Sequence, residues 1–90
     1  MKRKILVIGA GGIGSFLIPV LDRVGLYDIT VADPDKVEKK NIPYQNFDGL
    51  PIGVNKAHYM NKYSSVNTCI PYPVLTGAQM KGFDLVICCV

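Results

Sequence analysis

Apolar positions follow two different rhythms along this chain. Ile5 to Ile8 is an unbroken apolar run, the pattern of a central parallel strand covered on both faces. Ile13, Phe16, Leu17, Val20, Leu21 and Val24 then recur at helical spacing. That spacing predicts one broad core-facing stripe, closed at Gly25 with Leu26 placed for a Schellman-type contact. Pro19 falls inside this helix, where it removes one backbone donor and predicts a bend. A second strand is expected over Asp28 to Ala32. From Asp33 to Gly53 the chain turns polar and rich in Pro, Asn, Asp and Gly, before a weaker helix from about Asn55 to Tyr63. A third strand is expected over Cys69 to Leu75, confined to a sheet edge by Pro71 and Pro73. The fourth, again apolar, covers Phe83 to Val90.

Alternating strands and helices with right-handed crossovers predict an α/β, Rossmann-like, mostly parallel sheet in the order 3-2-1-4. Thr76 to Gly82 is short for a helical crossover, so a turn or a single helical turn must join the last two strands. Ninety residues fit one domain, residues 1–90. With 49% apolar and 19% charged residues the chain reads as globular, and no apolar run approaches the roughly 20 residues of a membrane span. Glycines interrupt the apolar stretch that follows the charged start, unlike a signal peptide, so residence in the cytoplasm is expected. The cysteines, Cys69, Cys88 and Cys89, are odd in number and lack metal-ligand spacing, which predicts buried free thiols. The net charge of +3 comes mainly from Lys2-Arg3-Lys4 and from Lys36, Lys39 and Lys40. Neither cluster is interleaved with aromatics along a face, which speaks against a nucleic-acid surface.

Chemistry enters with the glycines. Gly9, Gly11, Gly12 and Gly14 lie between the first strand and the first helix in a G-x-G-x-x-G arrangement. In that pattern the first glycine permits the tight turn, the second leaves room for a phosphate beside the backbone, and the third lets helix and strand pack closely. The exposed amides at the helix start then face an anion. Asp33 ends the second strand, where a carboxylate accepts hydrogen bonds from ribose hydroxyls and repels a 2′-phosphate. NADP is disfavoured, while NAD, FAD and ATP remain open.

The segments "VADPDKVEKKNIPYQ" and "PIGVNKAHYM" resemble the superfamily of ThiF, MoeB and the ubiquitin-activating enzymes. Asp33, Asp35, Val37, Asn41, Gln45, Gly53, Lys56 and Ala57 stand where that family has D-x-D-x-V, S-N-L-N-R-Q and G-x-x-K-A. The "GAGGIGS" and "FDLVICCV" stretches extend the resemblance over essentially the whole chain. It implies the ATP-binding part of an adenylyltransferase, in which a carboxylate, commonly the C-terminus of a ubiquitin-like protein, attacks the α-phosphate of ATP with Mg2+ as the metal. By the same resemblance Asp33, with Asp35 beside it, would hold the ribose and Asn41 and Gln45 would order the nucleotide loop. Lys56 would meet the phosphates as the catalytic cation. Asn55 as an N-cap would add the field of the following helix terminus.

Two departures stand out. Tyr44 occupies the family's arginine position, and a phenol cannot replace a guanidinium. Arg3 and Arg23, the only arginines, fall at the opposite end of the sheet, whereas Lys39 and Lys40 share the loop. The family continues past the Val90 position with an Asp-Asn pair, so the expectation is a version truncated after the fourth strand, without the metal-binding aspartate. The fourth strand would then be an exposed edge, predicting a homo-oligomer through residues 83–90 or through uncovered helix faces. His58, Tyr59 and Tyr63 read as surface or packing residues. The alternatives are the NAD-binding domain of a dehydrogenase, which leaves Asn41, Gln45 and Lys56 unexplained, and a non-catalytic interaction module that keeps only the fold.

Overall fold

The computed structural model describes residues 2–49, 51–74 and 76–90. Four strands, β1 (Arg3–Ile8), β2 (Tyr27–Ala32), β3 (Val66–Ile70) and β4 (Leu85–Cys88), form one sheet in the order β3-β2-β1-β4. Every pairing is parallel, so the expected order and direction are borne out. On one face Ile5 and Val7 of β1 lie beside Ile29 and Val31 of β2, all buried. Helix α1 (Gly14–Val24), the short helix α2 (Lys56–Tyr59) and the intervening loop cover this face, with Ile18, Ala57, Met60, Val37 and Phe47 completing the core. The other face is thinly roofed, because the crossover between β3 and β4 is a single 3-10 turn, Gly77–Met80, as its length requires. Its N-terminal half is polar to match: Lys4, Asp28, Thr30 and Thr68 line an open groove of about 240 Å³.

The structure corrects several boundaries. β3 runs over Val66–Ile70 and leaves Pro71 and Pro73 outside the ladder, since neither could donate to it. Of the expected third strand, Leu75 lies outside the described residues. β4 is shorter than residues 83–90, and the second helix is one α-helical turn continued by a 3-10 turn, Met60–Lys62. Asn55 caps that helix as expected, its Oδ1 accepting the His58 N–H at 3.0 Å.

The larger correction concerns α1. It runs unbroken through Pro19 and ends at Gly25, whose φ of 76° is left-handed. Its fully buried residues, however, are Gly14, Ser15 and Ile18, while Ile13, Phe16, Val20 and Val24 are 50–69% exposed. Leu26, expected to close against the helix end, is 63% exposed. Steric access explains the rotation. A Cβ at Gly14 would collide with the Gly9 carbonyl oxygen, so the small residues face the sheet and the bulky ones turn outward. The thiols divide as well: Cys69 and Cys89 are partly buried, and burial raises both pKa values, but Cys88 is exposed.

Candidate nucleotide-binding site

The glycine turn sits at the carboxyl end of β1, where open α/β sheets present their ligand crevice. Gly9 takes a φ of 97°, and an added Cβ there would meet the Cys89 carbonyl at 3.0 Å. Conformation and space therefore both demand glycine. Asp33, 6% exposed, ties this turn to its neighbours. Ala10 N–H donates to its Oδ2 at 2.7 Å and Asp35 N–H to its Oδ1 at 2.8 Å, while its backbone oxygen accepts Asn55 Nδ2 at 2.8 Å. The first duty of Asp33 is thus structural, although a carboxylate with two such bonds keeps lone pairs free. Asp35 is exposed, and its carboxylate makes no hydrogen bond or ion pair among the described residues.

Both acids edge a cleft of about 320 Å³ whose other walls are Ile8, Gly9, Ala32, Pro34, Tyr72, Pro73, Val74, Met80, Cys88 and Val90. Tyr72, Pro73, Met80 and Cys88 were not anticipated as wall residues. The signal available was position: Pro71 and Pro73 end β3 at the sheet's ligand-facing edge.

The polar loop closes over the turn from the other side. Asn41 organises it: its Oδ1 accepts the Glu38 N–H at 2.8 Å and its backbone oxygen the Tyr44 and Gln45 N–H groups. Gln45 lies against Gly11, where an added Cβ would meet its side-chain nitrogen at 3.4 Å. Gln45 Oε1 is buried without a hydrogen-bond partner. At Gly12 an added Cβ would meet nothing within 4 Å. Next in the loop, Phe47 is buried and packs edge-on against Tyr59 at 5.3 Å between centroids.

Lys56 approaches from α2. Its N–H donates to the Asp35 carbonyl at 2.9 Å, and the residue as a whole is 7% exposed. The ammonium lies 6.0 Å from the Phe47 ring centroid and has no carboxylate partner among the described residues. Contacts thus run from Gly11 through Gln45 and Phe47 to Lys56, on the helix-covered side of the sheet.

Tyr44, at the arginine position, is 79% exposed, and Lys40 pairs with Glu38 at 3.6 Å. Arg3 opens β1 and Arg23 lies in the last turn of α1, both at the far end of the sheet. Asp84 accepts the Lys4 N–H at that same end. No three His, Cys, Asp or Glu residues converge to hold a metal among the described residues. No helix there is long and apolar enough to cross a membrane.

The model of the ThiF family matches residues 1–90. The chain belongs to the ThiF family. It is 32% identical over 97 residues to the adenylyltransferase and sulfurtransferase UBA4 of Yarrowia lipolytica, covering 98% of this chain and 24% of that protein. Among solved structures, TcdA (CsdL) superposes with a TM-score of 0.83 at 29% identity, covering 98% of this chain and 39% of that one. The E. coli tRNA N6-threonylcarbamoyladenosine dehydratase TcdA, solved in complex with ATP, has a TM-score of 0.83 at 27% identity and covers 98% and 41%. The chain spans about a quarter of the length of the curated relatives it matches.

Proposed function

We propose that this chain is the ATP-binding part of an adenylyltransferase that activates a carboxylate. The observation that carries the reading is Lys56, a residue packed into the fold whose ammonium has no carboxylate partner among the described residues and is connected through Phe47 and Gln45 to the glycine turn. An ammonium held in place without an anion of its own is free to pair with a polyphosphate. The orphaned Gln45 Oε1 and the open space above Gly12 fit a ligand in the same place. The relatives support it too, one named an adenylyltransferase and one solved with ATP.

In this reading the phosphates lie over Gly11 and Gly12, facing Lys56, and the nucleoside enters the cleft beside Asp33 and Asp35. A carboxylate oxygen attacks the α-phosphorus, and the bond from that phosphorus to the bridging oxygen breaks. Pyrophosphate leaves with the electron pair, and an acyl adenylate remains. Lys56 and the turn amides face the negative charge that gathers on the phosphate oxygens. The substrate class we propose is the C-terminal carboxylate of a ubiquitin-like carrier. Magnesium is ordinarily held by one or two carboxylates together with phosphates and water. The described residues form no cage for it.

Two copies would meet over the exposed α1 stripe of Ile13, Phe16, Val20 and Val24, or along β4, in a cytoplasmic protein; sedimentation as a monomer contradicts the assembly. Calorimetric titration with ATP, with and without magnesium, should show binding where NAD shows none. Preference for NAD would favour the dehydrogenase reading. ATP binding without pyrophosphate exchange in the presence of a carrier protein would leave a nucleotide-binding module without the chemistry.

A further inference from the structure

Pro19 creates a problem that a distant residue solves. In a helix the N–H of residue 19 would donate to the carbonyl of residue 15, but proline has none. Ser15 is fully buried, so its carbonyl would be left without a partner away from water. Asn46 supplies the missing donor: its Nδ2 reaches the Ser15 carbonyl at 3.0 Å, and its own N–H donates to Ser15 Oγ at 3.0 Å. Ser15 in turn donates its N–H to the Gly11 carbonyl at 3.0 Å. Adjacent loop residues therefore grip one turn at two points, Gln45 against Gly11 and Asn46 against Ser15.

We infer that Asn46 is a positioning residue for the nucleotide loop: by clasping Ser15 at the carbonyl that Pro19 leaves free, it holds Gln45 over the glycine turn. The inference rests on the nucleotide-binding reading for its consequence, though not for its geometry. Asn46 has two separable effects. Satisfying the carbonyl stabilises the chain, and tethering the loop keeps Gln45 in place. Replacing Pro19 by alanine returns the helical donor and takes over only the first.

The test compares Asn46→Ala, Pro19→Ala and the two together. Asn46→Ala alone should lower the thermal midpoint and weaken ATP binding by about fivefold, the scale of one lost hydrogen bond. In the double variant the midpoint should return to that of Pro19→Ala, whereas ATP affinity should remain about fivefold weaker. Recovery of affinity together with stability would show Asn46 to be only a cap, and unchanged affinity in both variants would equally overturn the inference. Should Asn46→Ala alone not fold, the double variant carries the test. If the unaltered protein binds no ATP, the nucleotide reading fails. The tether is then judged by hydrogen exchange of the Tyr44 and Gln45 amides, both bonded to the Asn41 carbonyl. Exchange about fivefold faster in the double variant supports it, and unchanged exchange overturns it.

Discussion

The two halves of the glycine turn are glycine-rich for different reasons. On the strand side, Gly9 needs a left-handed φ and abuts the Cys89 carbonyl, and Gly14 abuts the Gly9 carbonyl itself. These two are required by the protein's own packing. On the outer side, Gly12 faces open space and a Cβ at Gly11 would first meet the flexible side chain of Gln45. No described residue crowds a side chain at Gly12, and in the proposed reading the space there is the ligand's. In that reading one motif combines a folding constraint with a binding surface, and the two separate by experiment.

The largest effect is expected at the packed half. Gly14→Ala forces a Cβ onto a backbone oxygen that cannot swing aside, and should cost about 3 kcal/mol or more, read in denaturant unfolding. Gly12→Ala should leave stability within about 0.5 kcal/mol while weakening ATP binding roughly tenfold, because the new methyl occupies only the ligand's space. Equal stability losses at the two positions would erase the distinction between the halves.

The smallest effect lies away from the turn. Asp22 accepts the Ser65 N–H at 2.9 Å and the Ser64 hydroxyl at 3.4 Å, and the Ser65 backbone bond above all holds its carboxyl below the usual range. With the folded pKa depressed, its contribution is present above the ordinary carboxylate value of about 4 and is lost as pH falls through the folded value. A thermal midpoint followed downward from pH 5 should therefore fall less in Asp22→Asn than in the unaltered chain.

Much of this was legible from residue order. Strand order, the glycine turn and the N-cap at Asn55 follow from local patterns whose physical causes are themselves local. The burial of α1 was not, because its apolar residues surround much of the helix and periodicity weighs size without asking how closely two backbones must approach. Small residues, Gly14 and Ser15, decided it. Nor was the interior role of the polar stretch legible: Val37 and Phe47 reach the core from a segment without periodicity, held by hydrogen bonds between residues far apart in sequence, such as those joining Asn46 to Ser15. Asp33 shows a third limit. Its place at the end of β2 pointed to a ribose, whereas its two backbone bonds, to Ala10 and Asp35, arise only once the turn is folded.

The most direct test is calorimetric titration of ATP into the unaltered protein and into Lys56→Met, with the thermal midpoint of each measured alongside. The account predicts that methionine leaves the midpoint unchanged or raises it, since the ammonium it replaces has no carboxylate partner among the described residues, and weakens ATP binding roughly a hundredfold. An undiminished ATP affinity in Lys56→Met would contradict it.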